Sequence, residues 1–159
     1  MSSPYPYAGS GTPPPEHRPP WGPRLVVIGM SLALFVGACC APALLIGGSE
    51  QPMPGGGLLF IGWMGIVAGQ FAWFANPIYA LALLLIAFRK WVPATLTAAI
   101  ALLVALDTLM MFVQEVPTDE AGVNSGRMSS LQIGFFLWIA SIAAVVLGAT
   151  WLAFRDRRT

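Results

Sequence analysis

Charged residues are scarce in this chain. They make up 9% of its 159 residues, whereas hydrophobic residues make up 57%. An ordinary soluble domain carries about 25% charged residues, so the composition argues against that class and indicates a polytopic membrane protein. The few basic residues form no stripe with stacking aromatic side chains, and we therefore expect no nucleic-acid partner.

Reactive side chains are equally few. The chain has one histidine, His17, and two cysteines, Cys39 and Cys40. No Ser/His/Asp grouping, phosphate loop or paired carboxylates accompany them, so we predict no enzymatic activity, no metal site and no cofactor. The adjacent cysteines lie in an apolar segment, which favours small core residues over a disulfide framework. Alternatively, Val36–Cys39 resembles a bacterial lipobox, which would direct lipidation of Cys39.

Long apolar runs are abundant instead. Since roughly 20 apolar residues cross a bilayer, these runs predict an all-α integral membrane helical bundle with four transmembrane helices. The transmembrane domain covers residues 25–154, and its predicted spans are 25–46, 77–88, 91–113 and 129–154. The last span begins at a stretch with capping-box spacing, Ser129–Gln132.

The second span lies at the end of an unusually long uncharged run, residues 51–88. As one helix, residues 57–88 would measure about 48 Å, which is too long for a ~30 Å hydrocarbon core at ordinary tilt. Asn is a favoured N-cap and Pro is favoured at the first helical position, so we predict a break at Asn76-Pro77. The preceding piece, Leu58–Phe74, is then an interfacial or re-entrant helix before the second span.

The two ends of the chain predict its topology. Residues 1–24 contain eight of the 14 prolines and predict a disordered tail, and residues 155–159 form a short basic tail. Seven of the eight basic residues flank the spans on one side, and only Arg127 lies on the other. By the positive-inside rule, both termini are cytoplasmic. The seven are Arg18, Arg24, Arg89, Lys90, Arg155, Arg157 and Arg158.

A few polar residues interrupt the apolar runs. Counted along ideal helices, Gln70, Asn76, Asp107 and Thr108 fall in the outer half of the bilayer and could form one polar layer. A carboxylate there costs roughly 2.5–3.5 kcal/mol, which makes Asp107 a candidate proton or cation site. Two other interpretations remain open: Asp107 fixes helix packing through hydrogen bonds, or it meets water at the outer interface.

Small residues predict the helix-packing surfaces. Gly62, Gly65 and Gly69 permit close backbone contact in the piece before the second span. Ala140, Ala144 and Gly148 recur every four residues in the last span. Transmembrane helices approach closely along such faces, so we expect this face of the last span to meet another helix rather than lipid.

Two segments carry a resemblance. Leu59–Gly65, followed by Phe71–Pro77, resembles a pattern in small bacterial polytopic inner-membrane proteins of uncharacterised function. There a glycine-spaced apolar stretch leads into an aromatic-Ala-Asn-Pro turn and then a Leu-rich span with a basic end, which Leu81–Lys90 matches. The resemblance implies a protein of the bacterial cytoplasmic membrane, and it implies no activity, ligand or site residue.

Two functions fit this sequence. The first is a non-enzymatic membrane subunit or accessory protein, which lies in the lipid bilayer and binds a membrane protein partner through its small-residue faces or its tail. The alternative is a small oligomeric transporter or channel that uses the polar layer around Asp107. A single chain of four spans makes a thin pathway, so the alternative requires a homo-oligomer.

Overall fold

The computed structural model describes residues 21–47, 51–114, 116–117 and 125–158. The predicted Pro-rich tail lies outside the described residues up to position 20, as do the acidic residues Glu50, Glu115, Asp119 and Glu120. The last four tail residues, 21–24, are described, and the first helix already begins within them at Gly22. Pro23 suits this start because the first turn of a helix needs no N–H from it.

The described chain is mostly helical. Its α-helices are α1 (Gly22–Cys40), α2 (Gly55–Ile61), α3 (Ala75–Ala87), α4 (Trp91–Ala105) and α5 (Ile133–Asp156). Short 3-10 helices extend three of them, at Gly62–Ala68 after α2, Ala72–Phe74 before α3 and Leu106–Phe112 after α4. Among the described residues, three helices are long and apolar enough to cross a membrane, Gly22–Cys40, Trp91–Phe112 and Ile133–Asp156. The apolar helices Gly55–Ala68 and Ala72–Ala87 are shorter.

Four of the helices form a bundle in which neighbours run antiparallel. Helix α5 packs between α1 and α4, and α3 packs on the other side of α4. The face of α4 toward its neighbours consists of alanines without exposed surface, Ala94, Ala98, Ala101 and Ala105. Their spacing of three and four residues places them on one side of the helix. Methyl side chains allow the backbones of adjacent helices to come close together.

The mostly helical structure is consistent with the all-α prediction, and a small sheet that was not predicted accompanies the helices. Strands β1 (Pro42–Ile46), β2 (Met53–Pro54) and β5 (Met128–Leu131) pair antiparallel in the order β2-β1-β5. A second pair joins β3 (Val116–Pro117) to β4 (Ser125–Gly126). Leu44, Ile46 and Met128 form a separate small core under the larger sheet. Both sheets lie at the end of the bundle where α1 and α4 finish and α5 starts.

The sheet shortens two predicted spans. The first is predicted to continue to Ile46, but α1 stops at Cys40 and Ala41 is extended. The residue before a proline disfavours helical geometry, and the residues after Pro42 pair with β5, so Pro42 ends the helix instead of kinking it. The capping box predicted at Ser129–Gln132 is wrong, because β5 occupies most of these residues and no side chain caps the start of α5.

The predicted break in the long uncharged run lies at a different place. Gly69 adopts φ 73°, a left-handed conformation that ends the 3-10 helix at Gly62–Ala68. Helix α3 begins at Ala75, so Asn76 and Pro77 lie inside its first turn rather than at a cap. Pro77 is tolerated there because an N–H in the first turn has no partner within the helix.

Candidate functional site

The centre of the bundle contains a buried polar group, here called the central network, made of Ser31, Tyr79 and Ser141. The Ser31 Oγ lies 2.6 Å from the Tyr79 Oη and donates a bond of 2.8 Å to the backbone oxygen of Ser141. Ser31 and Ser141 have no exposed surface, and Tyr79 is 3% exposed. The network joins α1, α3 and α5, which are far apart in sequence.

The central network continues toward the start of α5. The Ser141 Oγ donates to the backbone oxygen of Trp138 at 2.7 Å, and the Trp138 Nε1 donates to the Asn76 Oδ1 at 2.9 Å. The Tyr79 ring stacks on Phe35, with ring centroids 5.3 Å apart. These groups bond to one another, so the network is a chain of hydrogen bonds that holds α1, α3 and α5 together.

A second polar group, here called the outer corner, lies nearer the sheets and contains Gln70, Asp107 and Gln114. The Phe71 backbone N–H donates to the Asp107 Oδ2 at 2.7 Å. The Gln70 Nε2 donates to the Gln114 Oε1. Gln70 is 7% exposed, yet its Oε1 has no hydrogen-bond partner among the described residues. The outer corner therefore keeps a buried acceptor unsatisfied, which is costly in an apolar environment.

The structure divides the residues of the predicted polar layer between these two groups. Gln70 and Asp107 come together at the outer corner, through the backbone of Phe71, and the adjacent Thr108 is buried. Asn76 instead bonds to Trp138 of α5. The Asp107 carboxylate is anchored by a backbone N–H, whereas the Gln70 side chain donates to Gln114.

The three predicted glycines make contacts within their own hairpin. A Cβ on Gly62 would meet the Trp73 Cδ1 at 2.7 Å, and one on Gly65 would meet the Gln70 Cβ at 3.2 Å. The Trp73 Nε1 also donates to the Leu59 backbone oxygen at 2.7 Å. Gly69 supplies the left-handed turn. These three glycines therefore allow close contacts within residues 55–74.

The predicted face of α5 divides between two environments. A Cβ on Gly148 would lie 2.3 Å from the Val27 Cγ1, so α1 and α5 meet closely there. Ala144 is half-buried and Ala140 is exposed. The predicted face therefore packs against α1 at Gly148 and becomes exposed in the N-terminal half of α5.

One small-residue face was not predicted. It runs along the exposed side of α1 with alternating spacings of four and three residues, and we call it the α1 seam. Its members are Gly22, Val26, Gly29, Ala33, Val36 and Cys40, all of which are exposed. A Cβ on Gly29 would meet nothing within 4 Å. This spacing is the one that keeps a row of residues facing a second helix.

Other groups could also be found only from the three-dimensional arrangement. Ser31 and Ser141 are isolated hydroxyls in apolar runs, and nothing in the sequence says that they face Tyr79. The two free cysteines lie in the last turn of α1, where Cys39 is partly exposed and Cys40 is exposed. Among the described residues, no group of three or more His, Cys, Asp or Glu side chains could hold a metal ion.

Comparisons with known proteins add no relative. No family model, curated protein or solved structure matches this chain. The resemblance to small bacterial inner-membrane proteins therefore stays a prediction.

Proposed function

We propose that this chain is a non-enzymatic protein of the bacterial cytoplasmic membrane that binds another transmembrane helix along the α1 seam. The supporting observation is the combination of a filled interior and an open small-residue face. The central network is hydrogen-bonded and the core between α3, α4 and α5 is packed with alanines. Binding at the outer surface is the function that such a bundle supports best.

The proposed topology has four spans and cytoplasmic termini. The segment Ala72–Ala87 is the second span, because it packs beside α4 and ends at the same basic end of the bundle. At about 25 Å it is short for a ~30 Å core, which local thinning of the bilayer accommodates. The start of α1 and the end of α5 lie at that basic end, and the positive-inside rule assigns it to the cytoplasm.

The α1 seam suits a second helix because small side chains expose the backbone. In lipid there is no hydrophobic driving force between helices, and association depends on close packing over small residues. Gly29 and Ala33 are one turn apart at the middle of the seam. We expect the partner helix to cross α1 there.

A co-purification experiment tests this proposal. Gly29→Leu and Ala33→Leu fill the seam and should remove a co-purifying membrane protein after extraction in a gentle detergent. Ala80→Leu is the matched control, because Ala80 is an exposed alanine on α3 away from the seam. The proposal is abandoned if the wild-type protein is recovered alone and as a monomer.

Cys40 provides a way to identify the partner. In a symmetric dimer of parallel α1 helices, each seam residue faces its own copy, so oxidation in membranes should join Cys40 to Cys40. The Cys40→Ser variant, which retains Cys39, is the control. A disulfide-linked dimer identifies a second copy of the chain as the occupant, and a co-purifying protein without that crosslink identifies a different subunit.

The transporter alternative is favoured by one observation, the unsatisfied Gln70 Oε1 at the outer corner. An amide oxygen and the carboxylate of Asp107 are suitable ligands for a hard cation. Flux of protons or Na⁺ into liposomes should then be lost in Asp107→Asn, with helix content unchanged. Flux at the background level for the wild-type protein would refute this alternative.

A further inference from the structure

Basic residues collect at the end of the bundle where α1 and α4 begin and where α3 and α5 end. Among the described residues, this end carries six cations and one carboxylate, which gives it a net charge of +5. These are Arg24, Arg89, Lys90, Arg155, Arg157 and Arg158, with Asp156. A surface of this composition attracts anionic groups at the level of the lipid headgroups.

The carboxylate of Asp156 already has hydrogen-bond and ion-pair partners. Its Oδ1 lies 3.7 Å from the Arg89 Nη2, and its Oδ2 accepts a bond of 3.1 Å from the Trp91 Nε1. Asp156 therefore ties the turn between α3 and α4 to the end of α5. Within this turn, the backbone of Arg89 adopts a left-handed conformation with φ 62°, which a residue with a Cβ rarely adopts.

Arg24 is the cation that differs from the rest, because it is only 8% exposed. Its Nη1 donates to the Ala87 backbone oxygen at 3.3 Å, and its guanidinium carbon lies 3.7 Å from the centre of the Trp21 ring. Neither group carries a formal negative charge, and no carboxylate pairs with Arg24 among the described residues. A buried cation is costly unless an anion compensates it, and a guanidinium has five N–H donors to offer.

The position of Arg24 corresponds to the membrane interface. Val27, one turn further along α1, meets Gly148 of α5, and Arg155 lies about two turns beyond Gly148 toward the same end. The Arg24 guanidinium lies over the ring of Trp21, and that of Arg155 lies over the ring of Trp151. Tryptophan is enriched at the headgroup level of membranes.

We propose that the site between the start of α1 and the end of α3, centred on Arg24, binds the phosphate of an anionic phospholipid such as phosphatidylglycerol. The Arg24 guanidinium forms paired hydrogen bonds to two phosphate oxygens, and Lys90, three residues after Ala87 in the chain, adds positive charge at the same end of the bundle. This inference rests on the proposed membrane location but not on the proposed partner helix.

Thermal unfolding of the purified full-length chain in neutral detergent tests the site. Phosphatidylglycerol should raise Tm by about 5 °C, while phosphatidylcholine and inorganic phosphate should not. Arg24→Gln should lose this rise. Arg158→Gln, which removes an equal charge from an exposed position of the same end, should keep it. An equal rise in both variants would show a diffuse charge effect and overturn the site, and an equal effect of inorganic phosphate would overturn the lipid as its source.

A second variant keeps the test informative if Arg24→Gln does not fold. Arg24→Lys retains the charge but cannot form the paired bonds, so it should need roughly tenfold more phosphatidylglycerol for the same rise in Tm. A wild-type response in Arg24→Lys would contradict the paired geometry. Because the substitutions at Arg24 and Arg158 leave every residue of the α1 seam unchanged, failure of this test is distinguishable from failure of partner binding.

Discussion

The central network and the outer corner are two polar groups in the same bundle, and they differ in how fully their buried polar atoms are hydrogen-bonded. In the central network, small hydroxyls from three helices bond to one another and to backbone at 2.6 to 2.8 Å. In the outer corner, longer side chains from a turn and a 3-10 helix leave the Gln70 Oε1 without a partner. Regular helices fix the distance between their side chains, whereas the outer corner depends on irregular segments.

The largest expected effect comes from separating the helices that hold the central network. In Gly148→Leu, the new Cβ would lie only 2.3 Å from the Val27 Cγ1, so α1 must move away from α5. We expect a loss of about 3 kcal/mol in the free energy of unfolding, measured by denaturant titration in mixed micelles.

Gly29→Leu is the matched control for this change. It introduces the same side chain on the exposed face of α1, where a Cβ meets nothing within 4 Å. Measured at a dilution at which the wild type is monomeric, its unfolding free energy should remain within about 0.5 kcal/mol of the wild type. Equal losses in the two variants would mean that the α1–α5 contact is not as close as described.

An intermediate effect is expected from removing one bond of the central network. Tyr79→Phe deletes the hydroxyl that bonds to Ser31 and retains the ring that stacks on Phe35. Hydrogen bonds between membrane helices contribute about 0.6 kcal/mol on average and up to about 1.7, and the loss should fall in that range. A double-mutant cycle with Ser31→Ala measures the coupling, and a coupling of zero would show that the two hydroxyls do not interact.

The smallest effect is expected at the outer corner. Gln70→Leu removes the bond to Gln114 but also removes the unsatisfied Oε1, so the two contributions offset each other. The free energy of unfolding should change by less than about 0.5 kcal/mol. A loss comparable to that of Tyr79→Phe would contradict the comparison, because it would mean that the outer corner is as complete as the central network.

The sequence predicts those parts of this fold that depend on local composition. The apolar runs predict α1, α4 and α5, because hydropathy and length are properties of each segment alone. A proline at position 42 disturbs a helix in any context, but the choice between a kink and an end to the helix depends on β5. That strand is distant in sequence and pairs with the residues after Pro42.

The candidate sites depend on helix rotation, which composition does not determine. Asp107 is noticeable because a carboxylate is rare in an apolar run. Gln70 immediately precedes Phe71, whose backbone N–H donates to Asp107. Ser31 and Ser141 could not be predicted, because a serine in such a run has no preferred side until the packing of α1 on α5 is known. The alanines of α4 could not be predicted for the same reason, since alanine is common on every face of a membrane helix.

The alanines of α4 also affect how ordered the bundle can be. Ala94, Ala98, Ala101 and Ala105 have no side-chain rotamers, so burying them sacrifices no rotational freedom of the side chain. A helix interface made of leucine or methionine would lose about 0.5–2 kcal/mol of such freedom for each residue. The α4 contacts are therefore ordered at little entropic expense, and larger residues introduced there would have both a packing and an entropy penalty to overcome.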